Sequence, residues 1–95
     1  MGTVYSGYPN GRVGQIDGTF AAGQDIIPLI RKQDNIIDYK GLMKLGIQAP
    51  ENTIMFINDK KIRIGKTGIY ELDYSVLIKT LVFEADTTAL IDYIY

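Results

Sequence analysis

The 95-residue chain contains no cysteine, no histidine and no tryptophan. The first absence excludes disulfides and thiol nucleophiles, and the second excludes imidazole acid–base catalysis. Together they exclude zinc sites built from Cys and His. Long apolar runs are also missing, since no segment approaches the roughly eighteen continuous apolar residues of a membrane span. Neither sign of charge dominates: ten Lys+Arg face eleven Asp+Glu, a formal net charge of −1. A nucleic-acid footprint spread over the surface is basic, so no nucleic-acid partner is expected. Alanine is scarce at five residues, which leaves little of the commonest helix former.

What is abundant is β-forming and apolar. Fifteen Ile, seven Tyr and seven Thr suit a pleated, half-buried surface and predict an all-β chain. The length fits one domain, which at this size buries about 60–68% of the surface its unfolded chain exposes. Such a core is modest, and a partner subunit would enlarge it. Met1-Gly2-Thr3-Val4-Tyr5 has neither the basic nor the apolar region of a signal peptide. Met1-Gly2 with Ser6 matches a myristoylation pattern, but a start codon before a small residue matches it equally well.

Six of the ten glycines fall within residues 1–23, where Arg12 and Asp17 are the charged residues. Val4, Tyr5, Tyr8, Val13, Ile16 and Phe20 are spread through this stretch without a sustained period. Widely spaced apolar side chains bury poorly, and glycines raise the cost of ordering. The stretch therefore reads as an extended arm whose six apolar residues are candidates for contact with a neighbouring subunit. Tyr8-Pro9-Asn10-Gly11 is a turn signal within it. Residues 24–34 carry Ile26, Ile27, Leu29 and Ile30, but Pro28 falls where an interior N–H would be needed. An extended or irregular connector is predicted there, so arm and connector together occupy 1–34.

Residues 35–95 read as a small antiparallel β-sandwich or barrel-like domain of seven short strands. The predicted strands are 36–39, 42–49, 53–57, 61–65, 69–72, 75–83 and 88–95. Asn58-Asp59 before Lys60 marks a hairpin, and Gly65 to Gly68 a second tight turn. Alternation sorts side chains but leaves both faces apolar. In Thr53–Ile57, Met55 and Ile57 point one way and Ile54 and Phe56 the other. At the C-terminal end Ile91, Tyr93 and Tyr95 oppose Leu90 and Ile94. Strands apolar on both faces are normally covered twice. Ile54, Phe56, Tyr93 and Tyr95 are accordingly taken as further interface candidates, and an oligomer is expected.

Chemistry-bearing patterns are few. Gly65-Lys66-Thr67 ends like a phosphate-binding loop, but Lys60 stands where that motif needs Gly, and a strand is predicted to follow instead of a helix. A β-turn is the better reading. Lys60, Lys61, Arg63 and Lys66 form the densest basic cluster, read as a solvated strand face or as a rim pairing with Glu71 and Asp73. Asp34-Asn35 and Asn58-Asp59 lack the spacing of a calcium loop. The acid pairs Glu71/Asp73 and Glu84/Asp86 have no cleft assigned to them. No catalytic residue, metal or cofactor is expected. The tyrosines could stack on sugar rings, but they are dispersed and also suit a core or interface.

From Leu45 the chain runs LGIQAP, TIMFIND, KIRIGKTGIYELD, VLIKTLVFEAD and LIDYIY. This resembles a β-rich module in structural proteins of tailed bacteriophages and prophages of Gram-positive bacteria. The shared features are a core of the form IN-x-x-x-I-x-IG-x-TGIYELD and a terminal IDY-hydrophobic-Y. The match covers a little over half the chain. It departs from the module at Asp59, where Gly is commoner, and residues 1–34 carry none of the resemblance.

The resemblance implies a non-enzymatic virion protein, made in the bacterial cytoplasm, that acts by assembling with copies of itself and other virion proteins. It favours the tail or baseplate over the capsid exterior or neck. It also implies a core of Ile57, Ile62, Ile64, Ile69, Leu72 and Phe83, with Gly65 and Gly68 shaping a turn. A carbohydrate- or receptor-binding module of a host-attachment apparatus is the alternative. No membrane partner is expected.

Overall fold

The computed structural model describes residues 12–73 and 77–95. Their order is β1 (Val13–Phe20), α1 (Ile27–Gln33), β2 (Lys44–Gln48), β3 (Ile54–Ile57), β4 (Lys60–Arg63), β5 (Ile69–Asp73), β6 (Leu81–Phe83) and β7 (Thr87–Ile94). Two antiparallel sheets, β1-β7-β2-β5 and β4-β3-β6, enclose one apolar core as a small β-sandwich-like domain. Period-2 alternation carries the architecture. Along β7, Thr87, Ala89, Ile91 and Tyr93 are buried, whereas Thr88 and Asp92 are exposed and Leu90 and Ile94 half-buried. In β3, Met55 and Ile57 enter the core, where they join Ile64, Leu81 and Phe83.

The β3–β4 hairpin is set by its turn. Ile57 pairs with Lys60, leaving Asn58 and Asp59 as a two-residue loop with φ of 51° and 66°. Two positive φ values in succession define the primed turn whose twist matches the flanking strands. Asn58 also holds the segment before β6. Its Oδ1 accepts N–H bonds from Lys79 at 2.7 Å and Thr80 at 3.3 Å, and its Nδ2 donates to the Leu77 carbonyl at 2.7 Å.

Four sequence expectations are corrected. Residues 24–34 are not an irregular connector, because Pro28 lies in the first turn of α1, where its missing N–H leaves no bond unmade. Asp25 Oδ1 receives the Ile27 N–H at 3.1 Å beside that turn, and Ile26, Ile27 and Ile30 are buried. The helix packs Ile27 and Ile30 into the core. Its leading end is tied to β6 through Ile26 N–H to Leu81 O, and its trailing end to β1 through Gln33 Nε2 to Gln15 O.

Second, residues 36–39 form no strand. Asn35 turns the chain with φ 53°, and the Arg31 guanidinium donates to the Ile36 and Ile37 carbonyls. Third, the arm is not separate from the domain over residues 13–20. That stretch is β1, paired with β7 from Val13↔Ile94 to Phe20↔Thr87, and residues 1–11 lie outside the described residues. Fourth, the strand expected at 75–83 is confined to β6, with 74–76 outside the described residues.

Candidate interaction surfaces

The part-buried polar cluster at the β1 edge shows which interface candidates the domain uses for itself. Tyr93 projects inward from β7, and its ring crosses the face of Gly14, its partner on β1. A Cβ on Gly14 would overlap that ring and lie 2.6 Å from Asp34 Oδ2, so only glycine fits. The Tyr93 hydroxyl donates to Asp34 Oδ2 and accepts from Gln33 Nε2 at 3.1 Å. Burial pushes the phenol's pKa well above its ordinary value; the bond to Asp34 and that residue's charge add to this, and the Gln33 bond partly offsets it. Tyr93 is thus a core residue that ties β7 to the end of α1.

Phe20 is likewise buried, its ring 6.0 Å from that of Phe83. Ile16 faces inward opposite Ile91, and Tyr95 is half-buried with its ring 6.0 Å from Tyr93. Of the proposed contact residues, Phe20 and Tyr93 are therefore closed to a partner. Val4, Tyr5 and Tyr8 lie outside the described residues. Val13 is 81% exposed, and Ile54 and Phe56 are half-buried on the outward side of β3.

The outward face of the three-stranded sheet is built around Phe56. Lys61 pairs with it from β4 and Val82 from β6, and Arg63 pairs with Ile54. Lys61 and Arg63 are exposed, and Arg63 donates to Asn52 Oδ1 at 3.2 Å. No rim across a β4–β5 hairpin forms, because β5 leaves for the other sheet and pairs with β2. The outward face of the four-stranded sheet carries Leu90, Asp92 and Ile94 on β7, with Val13 opposite Ile94 and Glu71 across Gly46 from Asp92. Because Gly46 has no side chain, a recess of about 210 Å³ opens there.

The predicted turns divide in the same way. Asn58, Asp59 and Gly68 have positive φ, and the Gly68 N–H donates to the Gly65 carbonyl at 3.1 Å. Gly65 has no such φ, and a Cβ there would meet open space, so that turn requires glycine only at position 68. Lys66 and Thr67 sit at its tip, and strand β5 follows. Ile69, placed in the core by the resemblance, is 48% exposed on the edge strand β5. Ile57, Ile64 and Phe83 are buried, and Ile62 and Leu72 pack against them.

Tyr39 is half-buried beneath Arg31, whose guanidinium carbon lies 5.5 Å from the ring centroid. Its hydroxyl donates to the Ile78 carbonyl. Burial, and secondarily the Asp25 charge, push its pKa up to about 12 against a partial offset from Arg31. Among the described residues no tyrosine is exposed, and no group of three or more acidic side chains is placed to hold a metal. No helix among them is long and apolar enough to cross a membrane. Comparison with protein-family models, curated proteins and solved structures found no match to this chain.

Proposed function

We propose that this chain is a non-enzymatic structural component of a tailed-phage or prophage particle, favoured in the tail or baseplate, that works by assembling with copies of itself. One observation carries the reading. The central strands of both sheets present partly exposed apolar side chains outward: Ile54 and Phe56 on β3, Leu90 and Ile94 on β7. Apolar surface on the outside of a sandwich gains by being covered, at roughly 25 cal/mol per Å². The resemblance of residues 45–95 to phage structural modules supplies the biological setting. The carbohydrate-binding alternative gains nothing from the geometry, since each described tyrosine is at least half-buried in its own domain.

Two measurements test this. Sedimentation at about 10–100 µM is expected to show concentration-dependent association. Mass spectrometry of particles purified from lysates of cells carrying the gene is expected to find the chain in stoichiometric amounts. A chain absent from such particles removes the virion reading.

A further inference from the structure

We infer that copies of this chain associate face to back, with the Phe56 face of one sandwich seated on the Gly46 recess of the next. The inference rests on the self-assembly proposed above and specifies the surfaces that meet. It begins from the two outward faces, which lie on opposite sides of the same domain and differ in shape and charge.

On the four-stranded sheet, Asp92, Gly46 and Glu71 are neighbours in one row across β7, β2 and β5. The row has an exposed carboxylate on each side of a residue without a side chain. Asp92 leans over the recess, its Oδ1 3.4 Å from where a Cβ of Gly46 would stand, and Glu71 borders it from β5. Val13 and Ile94 supply its apolar wall. Asp17 adds a third exposed acid nearby on β1, and the half-buried Lys44 is the basic group on this face.

The three-stranded sheet presents the complement. Phe56 stands on its central strand with Ile54 and Val82 beside it, and Lys61 and Arg63 flank the pair from β4. Glu84 lies beyond Ile54, and Asp25, opposite Val82, has Oδ1 occupied by the N–H groups of Ile27 and Leu81. An aromatic side chain with two cations along its β4 side thus faces a recess lined by two acids and Lys44. Lys61 and Arg63 stand two residues apart on β4, roughly 7 Å from each other along one side of the Phe56–Ile54 pair.

Because the mating faces are different, the contact is heterologous and repeats. Successive copies either close into a ring or continue as a stack. The three-stranded sheet is the smaller face and limits the contact to about 200 Å² per partner from its strand spacing and length. Both partners together then bury ~400 Å², well below the ~1,200 Å² of a stable pair. Single contacts are accordingly weak and strengthen when a ring closes or other particle proteins hold the copies.

The test uses the full chain and two variants. Gly46→Lys fills the recess and adds a positive charge, and its Cβ meets Asp92 Oδ1 at 3.4 Å, an ordinary contact that preserves the fold. The double variant Lys61→Glu/Arg63→Glu reverses the exposed cations on the opposite face. Circular dichroism checks that both remain folded.

Each variant alone is expected to lose at least about tenfold in association, and their mixture to regain it, since the intact Phe56 face of the first seats on the intact recess of the second. Raising salt from about 50 to about 500 mM is expected to weaken wild-type association at least about tenfold. If the wild type associates and Gly46→Lys associates equally well, the recess is covered by something else, such as the chain's own residues 1–11, and the pairing is overturned while self-assembly stands. A mixture that stays monomeric overturns the pairing also. A wild type that is monomeric at ~100 µM and low salt removes both proposals.

Discussion

Replacing Gly14 with alanine should be among the most damaging single changes in this domain, although it adds only a methyl group. Relief of the overlap requires the Tyr93 ring to move, and β7 holds that ring's backbone between two neighbouring strands. Overpacking of this kind costs about 1–3 kcal/mol. A displaced ring also withdraws its hydroxyl from Asp34 and Gln33, and a bond to a charged group is worth about 1.5–3 kcal/mol. Alanine returns about 0.5–1 kcal/mol through its lower unfolded-state entropy. The net loss is about 2–5 kcal/mol against a total stability of ~5–14 kcal/mol for a chain of this length.

Thermal unfolding followed by circular dichroism should show the melting temperature falling by at least ~10 °C. Gly65→Ala, where the new methyl meets open space, serves as the control and should change it by less than about 3 °C. The double variant Gly14→Ala/Tyr93→Ala should lose less than the sum of its parts, because without the ring there is no overlap. Melting within about 2 °C of wild type for Gly14→Ala, or strict additivity in the double variant, would refute the reasoning.

Other predictions follow from named contacts. Asp59→Gly should stabilise the hairpin by about 0.5–1 kcal/mol in urea titrations, because a non-glycine residue is held there at φ 66°. Asn58→Ala should cost about 2–3 kcal/mol in the same assay, since three bonds to residues 77–80 vanish together. Stability should decline as pH rises from about 10 towards 12. Tyr39 has its folded pKa raised to about 12 from an ordinary 10.0, so the neutral phenol's contribution is complete below pH 10 and is lost as it ionises in the folded state. Tyr39→Phe should flatten that decline, and an unchanged alkaline slope would count against the assignment.

The sequence made the strands of the β-rich half legible where periodicity and turn chemistry agreed. Asn58-Asp59 fixed the register of β3 on β4, and that register puts Lys61 and Arg63 beside Phe56 and Ile54 on the outward side. On β7 alternation separates Ile91, Tyr93 and Tyr95 from Leu90 and Ile94, but it does not say which set is inside, and Tyr93, an interface candidate by sequence, is buried. Asp92 was the available signal, because it shares a face with Leu90 and Ile94 and a charged residue marks the wet side.

The helix and β1 were hidden for different reasons. Pro28 argues against a helix interior and for a helix start, and local sequence does not say which position it holds. In β1, glycines that weaken an isolated strand make room for a partner: Gly14 lies under an aromatic ring that is remote in sequence. The recess at Gly46 was invisible for the same reason, since it exists only once β7 and β5 flank β2.

The pairing of β1 with β7 also governs the order in which the domain can form. Val13 and Ile94 are partners at about eighty residues' separation, and Arg12 and Tyr95 exchange both backbone hydrogen bonds at 2.8 Å. β7 is simultaneously the neighbour of β1 and of β2. During synthesis the four-stranded sheet therefore lacks its organising strand until β7 has left the ribosome, and β1 waits unpaired until then. The short β3–β4 hairpin can close early, within microseconds, whereas closing the long loop between β1 and β7 is slow. Completion of the four-stranded sheet is in this sense a signal that β7 has been made.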